Sequence, residues 1–216
     1  MDIKACIFDL DGVIVDTAKY HFIAWKELAN QLGIDFTETD NERLKGVSRM
    51  RSLDIILEIG NVTLTDEEKQ RYAAEKNELY RSYILKMDAS EILPGVLDFL
   101  GQLDSNNIPF ALGSASKNAL TILDRLKLTE RFVTIVDGTS VTKAKPDPEV
   151  FLKGAEGLQV APSACLVFED ASAGIEAAHN AGMKAVGVGD PSVLGHADVV
   201  IPGFEGLLWS DLLSRF

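Results

Sequence analysis

The chain has 216 residues, of which 46% are hydrophobic, and it carries a formal net charge of −12 at pH 7. This length and apolar content are enough for a sizeable folded core, and they exclude an intrinsically disordered protein. The negative charge makes nucleic acid and anionic membrane surfaces poor partners, because both repel an acidic protein. We therefore expect no nucleic-acid partner and no membrane partner.

The sequence also indicates where the protein works. No segment approaches the roughly 20 consecutive apolar residues of a membrane span, and the start "MDIKACIF" lacks the basic, then apolar pattern of a secretory signal. Cys6 and Cys165 both lie in apolar, strand-like runs, which indicates buried thiols in a reducing compartment. We predict a cytoplasmic protein.

The first predicted element is a strand over residues 3–8, which is followed at once by Asp9, Asp11 and Gly12. A short apolar run bounded by Asp and Gly is typical of a buried strand. Residues i and i+2 share a face of a strand, so both carboxylates are expected to enter one crevice at its carboxyl end. Two such anions need a cation, a shared proton or solvent, and an ordinary Asp/Gly turn is the alternative.

A mainly helical segment comes next. One helix is predicted over residues 17–32, a second follows Ser48 as its cap and stops at residue 60, and a third covers 65–87. The third begins with "TDEE", a capping-box pattern. We predict that residues 15–89 form a helical cap domain inserted after the first strand.

Strand and helix patterns alternate in the rest of the chain. The apolar strand candidates are residues 108–112, 133–136, 166–168, 185–188 and 199–201. This alternation predicts an α/β fold with a doubly wound, Rossmann-like parallel sheet, built from core segments 1–14 and 90–216. In such sheets, ligands bind beyond the carboxyl ends of the strands.

Polar residues follow several of these strands. Two hydroxyls, an amine and an amide precede the predicted helix "ALTILDRL", and the free N–H groups of a helix N-terminus suit a phosphate. A plain helix cap by Ser116 is the alternative. A lysine precedes another helix in "KAKPDPEVF", and two acids end the strand in "VFEDASAG". These residues are Ser114, Ser116, Lys117, Asn118, Lys145, Glu169 and Asp170.

Four segments, "DLDG", "GSAS", "KAKPDP" and "FEDASAG", together with the helical insertion, resemble the haloacid dehalogenase superfamily over essentially the whole chain. The resemblance implies that Asp9 is a nucleophile that forms an aspartyl phosphate and that Asp11 is the general acid/base. It implies Mg²⁺ bound by the Asp9 carboxylate, the Asp11 backbone carbonyl and Asp170, with Glu169 supporting the metal site.

The residues implied to hold the transferring phosphate are Ser114, Ala115 and Lys145. One position departs from the superfamily's pattern: Ala171 stands where a hydroxyl residue is common. The departure concerns a supporting hydrogen bond and leaves the implied metal ligands in place.

The segments "AKYHFIAWKELA", "LKGVSR", "AAEKN" and "SASKN" resemble the glucose phosphomutases of this superfamily. The resemblance implies sugar-phosphate substrates: β-glucose 1-phosphate and glucose 6-phosphate, interconverted through β-glucose 1,6-bisphosphate as the phosphorylating intermediate. It also implies a second phosphate site, since a mutase must grip the phosphate that is not transferred. The expected sugar and distal-phosphate residues are His21, Trp25, Gly46, Val47, Arg49, Ser52, Lys76, Ser116, Lys117 and Asn118.

Three cap residues have simpler interpretations. Arg49 falls in the first turn after Ser48, where the helix dipole disfavours a cation unless an anion binds, and the alternative is a solvent-exposed arginine. His21 either packs in the cap core or links sugar binding to the position of Asp11. Lys76 lies on an apolar helix face, where it assists near the sugar or extends its ammonium to solvent.

Two rival functions share the core residues. A receiver domain of a response regulator uses similar acids and a lysine, but it is about half this length and lacks the insertion. A capped sugar-phosphate or phosphoglycolate phosphatase of the same superfamily would transfer the phosphoryl group to water instead of a sugar hydroxyl. Arg49, His21 and Lys76 favour the mutase, which we expect to act as a monomer.

Overall fold

The structure is a computed structural model that describes residues 3–44 and 47–216. Six strands form one sheet: β1 (Ala5–Phe8), β2 (Phe110–Gly113), β3 (Thr134–Val136), β4 (Cys165–Glu169), β5 (Lys184–Val188) and β6 (Val199–Ile201). Their order is β3-β2-β1-β4-β5-β6, and every neighbouring pair is parallel. The predicted doubly wound α/β sheet is confirmed.

Ten α-helices accompany the sheet within the described residues. The first four, which fall within the predicted insertion after β1, are α1 (Ala18–Gln31), α2 (Glu38–Glu42), α3 (Arg49–Gly60) and α4 (Asp66–Ile84). The others are α5 (Val96–Ser105), α6 (Ala119–Leu126), α7 (Glu149–Leu158), α8 (Ser172–Asn180), α9 (Pro191–Leu194) and α10 (Trp209–Leu213). None of them is long and apolar enough to cross a membrane.

The caps read from the sequence explain where two inserted helices begin. The Ser48 hydroxyl accepts the N–H of Arg51 and starts α3, and α4 begins after Thr65, which forms a capping box with Glu68. The short helix α2 was not predicted, because its residues, "ETDNE", include no apolar side chain and therefore show no helical period.

Side chains alternate across β1 and fill two layers of core. Cys6 and Phe8 face one apolar cluster, while Ala5 and Ile7 face the other. On the first face, Phe8 stacks on Phe168, with ring centroids 4.6 Å apart and planes 7° from parallel. Because β1 is buried on both faces at the centre of the sheet, the acids that follow it are held on a rigid support.

The inserted helices have an apolar cluster of their own, which contains Trp25, Phe36, Leu53 and Ile56. The end of α4 differs, since Tyr80 and Ile84 pack with the sheet's aromatic cluster. Ala24 of α1 belongs to the same cluster, so the inserted segment has an apolar core of its own and also packs on the sheet through α1 and α4. We retain residues 15–89 as the proposed limits of the cap domain.

Candidate active site

A cavity of about 430 Å³ lies between the carboxyl ends of the central strands and the inserted helices. Strand register brings these ends together, because Phe8 pairs with both Leu112 and Phe168. The predicted residues that line the cavity are Asp9, Asp11, His21, Trp25, Val47, Arg49, Ser52, Lys76, Ser114, Ala115, Ser116, Lys117, Asn118, Lys145 and Asp170. Glu169 is buried beneath this lining, and Gly46 lies outside the described residues.

Three acids converge where β1 and β4 end. Carboxylate oxygens of Asp9, Glu169 and Asp170 all lie within 4.8 Å of one another. A β-carbon placed on Gly12 would lie 2.1 Å from Oδ2 of Asp170, and the φ of Gly12 is 78°. Gly12 therefore permits both the turn and the close approach of Asp170 to the backbone, because any side chain at this position would displace Asp170.

Lys145 connects two of these acids. Its buried ammonium donates hydrogen bonds to Oδ1 of Asp9 at 2.7 Å and to Oε1 of Glu169 at 2.5 Å. Burial alone would lower the pKa of Lys145, but the charges of both carboxylates hold that pKa above its ordinary value. The lysine is therefore charged at neutral pH, and it fixes the rotamer of Asp9.

The charge of this cluster fits a divalent metal. Asp9, Glu169 and Asp170 bring three carboxylates together, and the ammonium of Lys145 offsets one negative charge. Oxygen donors with excess negative charge are the ligands that Mg²⁺ prefers. The residues present at the ends of β1 and β4 therefore suit the implied Mg²⁺.

Asp11 is hydrogen-bonded to a residue that sequence patterns did not identify. The buried hydroxyl of Thr17 donates a hydrogen bond to Oδ1 of Asp11. Burial, with a further contribution from the charge of Asp9, raises the pKa of Asp11 to about 7. A carboxyl group with this pKa can both give and take a proton near neutral pH.

The loop between β2 and α6 is organised by its own hydroxyls. Oγ of Ser114 accepts the N–H of Ser116 at 3.1 Å, and Oγ of Ser116 accepts the N–H of Asn118 at 3.2 Å. Asn118 occupies the N-cap position of α6, so Ser116 is not a simple helix cap. Gly138 packs against this loop, where an added β-carbon would lie 2.2 Å from the carbonyl oxygen of Ala115.

Arg49 faces the cavity from the cap side, as the first residue of α3. Its guanidinium is half-buried, and Nη2 donates a hydrogen bond to Oδ1 of Asn77 at 2.7 Å. The same oxygen accepts a hydrogen bond from Nδ2 of Asn118 at 3.1 Å. Arg49 is therefore hydrogen-bonded at the cavity and only partly exposed to solvent, and a cation at a helix N-terminus is suited to an anion. Its role in binding the distal phosphate stays a prediction.

Buried Lys76 and partly buried His21 form a polar pair. Nζ of Lys76 lies 2.9 Å from Nδ1 of His21 and over the rings of Trp25 and Tyr80, at 4.4 and 4.8 Å from their centroids. Lys76 is only 3% exposed, so its ammonium does not extend to solvent. Burial, reinforced by the charge of Arg49, lowers the pKa of Lys76 to about 7. Burial also lowers the pKa of His21 well below its ordinary range.

Sequence patterns did not identify several residues of this site, among them Asn41, Asn77 and Gly138, which line the cavity, and Thr17, which contacts Asp11. Asn77 directly follows Lys76, but its partners lie on other elements and no local pattern marks them. Asn41 lies on the unpredicted helix α2. Its Oδ1 is buried and has no hydrogen-bond partner in the part of the chain that the structure describes.

A central parallel strand that ends in two acids, a buried lysine beside them and a helical insertion above them define the phosphate-transferring enzymes of the haloacid dehalogenase class. A family model described as haloacid dehalogenase-like hydrolase matches residues 3–182. The chain belongs to that family.

Individual relatives are similar over nearly the whole chain. It is 48% identical to the β-phosphoglucomutase of Bacillus subtilis (strain 168), over 92% of this chain and 88% of the relative. A crystal structure of β-phosphoglucomutase from Clostridium difficile matches with a TM-score of 0.94 and 46% identity, over 99% of this chain and 96% of the other. A phosphorylated carbohydrates phosphatase of Thermotoga maritima is 36% identical over 85% and 83% of the two chains. The predicted resemblance is confirmed.

Proposed function

We propose that the protein interconverts β-D-glucose 1-phosphate and glucose 6-phosphate, as a Mg²⁺-dependent phosphomutase. The similarity to two β-phosphoglucomutases at 48% and 46% identity supports this function over the phosphatase alternative, whose relative is more distant. The observation that carries it is one cavity lined by two groups of residues suited to phosphate. Asp9 and Lys145 form a hydrogen-bonded pair there, and Arg49 and Asn118 both donate to the side-chain oxygen of Asn77.

Asp9 is the proposed nucleophile. In the first half-reaction an Asp9 oxygen bonds to phosphorus, the bond from phosphorus to the leaving sugar oxygen breaks, and Asp11 protonates that oxygen. In the second half-reaction a hydroxyl oxygen of the sugar monophosphate bonds to the phosphorus of the aspartyl phosphate, the bond from phosphorus to the Asp9 oxygen breaks to restore the carboxylate, and Asp11 takes the hydroxyl proton. The sugar leaves as β-glucose 1,6-bisphosphate, which turns around and returns its other phosphate to Asp9.

The residues proposed to hold Mg²⁺ are Asp9, Asp11 through its backbone carbonyl, and Asp170, with Glu169 in support. The ion, when bound, offsets the charge of the transferring group so that an anionic nucleophile can approach it. Lys145 also helps the nucleophile to approach, because it donates a hydrogen bond to Asp9 and keeps the carboxylate in one rotamer. Ser114 and Ala115 complete the proposed site for the transferring phosphate.

The phosphate that is not transferred is proposed to bind Arg49 from the cap and Ser116, Lys117 and Asn118 from the core loop. The sugar would lie between the two proposed phosphate sites, against Trp25, Val47 and Ser52, which line the cavity. Gly46 belongs to the same proposed pocket by resemblance alone. His21 and Lys76 are proposed to couple sugar binding to Asp11. Lys76 contacts His21, and the charge of Lys76 lowers the pKa of Asp11. A monomeric state and a cytoplasmic location stay predictions.

Arg49→Ala tests the mutase assignment. A charge-assisted hydrogen bond is worth roughly 1.5 to 3 kcal/mol, so the ratio of mutase turnover to acetyl phosphate hydrolysis should fall by at least about tenfold. Acetyl phosphate has no distal phosphate for Arg49 to grip. The matched control is Arg51→Ala, because Arg51 is an exposed arginine of the same helix paired with Glu58 at 2.7 Å. The control should keep both activities.

The outcomes separate the two enzymatic functions. Conversion of β- and α-glucose 1-phosphate is measured on the same preparation, with and without glucose 1,6-bisphosphate. Equal losses of mutase and hydrolase activity would indicate a damaged core instead of a lost phosphate contact. No loss in either activity would contradict the role of Arg49 and favour the capped phosphatase.

A further inference from the structure

Asn77 joins three separate segments around the cavity through a single oxygen atom. Oδ1 accepts hydrogen bonds from Arg49 on α3 at 2.7 Å and from Asn118 in the β2–α6 loop at 3.1 Å. Asn77 itself lies on α4 and lines the same cavity. The cap and the core therefore meet at this oxygen.

The two donors retain capacity for a ligand. A guanidinium carries five N–H groups and a side-chain amide carries two, so each donor keeps further N–H groups after one bond to Asn77. The side-chain amide of Asn77 is neutral. A carboxylate in its place would bind Arg49 more strongly, but it would also repel a phosphate bound to the same donors.

We propose that Asn77 is a positioning residue that makes cap closure and assembly of the distal phosphate site the same event. This inference rests on the proposed function, because the phosphate concerned is the one that a mutase does not transfer. Asn77 holds Arg49 and Asn118 in one geometry, so that less side-chain freedom is lost when the phosphate binds. A substrate that lacks the distal phosphate gains nothing from this arrangement.

Two substitutions separate the acceptor from the charge. Asn77→Leu keeps a similar volume but removes the acceptor, and loss of bonds to a charged donor should weaken glucose 6-phosphate binding about tenfold. Asn77→Asp keeps the acceptor and adds an anion, so its loss of affinity should shrink as salt increases, because salt screens repulsion. Isothermal titration calorimetry with glucose 6-phosphate, in the presence of Mg²⁺ and at low and high ionic strength, measures the affinity of both variants. Gln70→Leu, at an exposed position of α4, is the control and should bind like wild type.

A double-mutant cycle tests whether Asn77 acts through Arg49. In an Arg49→Ala background, Asn77→Leu should cost clearly less affinity than it does in the wild type, because one of its two partners is already gone. If Asn77 only supported α4, Asn77→Leu would lower the affinity for glucose 6-phosphate by the same factor in both backgrounds. Such additivity, or wild-type binding by Asn77→Leu, would overturn the proposal.

The same measurements distinguish this inference from the proposed function. Wild-type enzyme that binds glucose 6-phosphate but does not form β-glucose 1-phosphate would contradict the mutase, while the binding cycle would still test Asn77. Wild-type enzyme that is an active mutase but shows an additive cycle would contradict Asn77 alone.

Discussion

Asp9 combines a buried position with a fixed orientation. Its side chain accepts a hydrogen bond from Lys145, and its backbone N–H donates to the carbonyl of Phe168 at 2.9 Å. Asparagine is nearly isosteric and can accept the same hydrogen bond, but its amide is a poor nucleophile. We therefore expect Asp9→Asn to abolish phosphoryl transfer while leaving the fold and the unfolding midpoint close to wild type.

The measurement is turnover of sugar phosphate by purified Asp9→Asn, with mass spectrometry to verify that the amide has not reverted to a carboxylate. Far-UV circular dichroism and urea unfolding supply the structural control. Appreciable turnover by the intact Asp9→Asn variant would exclude Asp9 as the nucleophile.

Lys76 predicts a pH dependence of stability. Its pKa is about 7 in the folded chain and 10.5 for an ordinary lysine, so between these values the unfolded state binds one more proton. The free energy of unfolding contributed by Lys76 should therefore rise with pH in this window, by at most about 1.4 kcal/mol per pH unit. Below pH 7 both states carry the ammonium, and the burial penalty is present in full.

Urea unfolding of wild type and Lys76→Met at pH 7 and pH 9.5 isolates this effect, because other titrating groups are common to both chains. Wild type should gain stability relative to Lys76→Met as the pH rises. Parallel profiles would show that the amine is not desolvated in the folded protein.

At the scale of elements, the sequence indicated the helix caps and the strand ends, but it did not indicate how the inserted helices contact the core loop. The cap at Ser48 and the capping box at Thr65 specify their helices through residues three positions away. The acids at the strand ends could be brought together by the rule for parallel sheets. The roles of Asn77 depend on partners 28 and 41 residues away, on elements whose packing no sequence pattern specified.

Substitution by alanine should have different effects at two helix glycines: it should lower activity at one and stabilise the fold at the other. A β-carbon on Gly174 of α8 would lie 1.8 Å from Oε1 of Glu169, whose carboxylate also accepts the N–H of Ala171 and binds Lys145. Gly174→Ala should displace this carboxylate and lower kcat. Gly101 of α5 has no atom within 4 Å of an added β-carbon, so Gly101→Ala should stabilise the fold by about 0.5 to 1 kcal/mol.

Steady-state kinetics and urea unfolding of the two variants check this contrast. Gly101→Ala should keep wild-type kcat, since no residue of α5 is among the described residues that line the cavity. Full activity of Gly174→Ala would mean that the Glu169 carboxylate is not needed where the structure places it.

The whole molecule contains two tryptophans that report on different cores. Trp25 lies in the cluster of the inserted helices, and Trp209 lies in the aromatic cluster on the sheet. The cap cluster is the smaller, and smaller cores are less stable. We expect the cap to lose structure at a lower urea concentration than the sheet.

Trp209→Phe leaves Trp25 as the sole tryptophan probe, and Trp25→Phe leaves Trp209. The fluorescence transition of Trp25 should come first, and glucose 6-phosphate with Mg²⁺ should move it to higher urea if the ligand binds between cap and core as proposed. Coincident transitions for the two variants would show that the protein unfolds as one cooperative unit.

The position of β1 in the sheet also affects how the protein folds as it is synthesised. Cys6 pairs with Phe110 on one side and with Leu166 on the other, so the first strand made has both its neighbours far downstream. An emerging chain carries this apolar strand unpaired while the entire inserted segment is translated, which favours slow folding and transient aggregation. Asp9 is made long before Glu169 and Asp170, and it meets them only after β4 has been made.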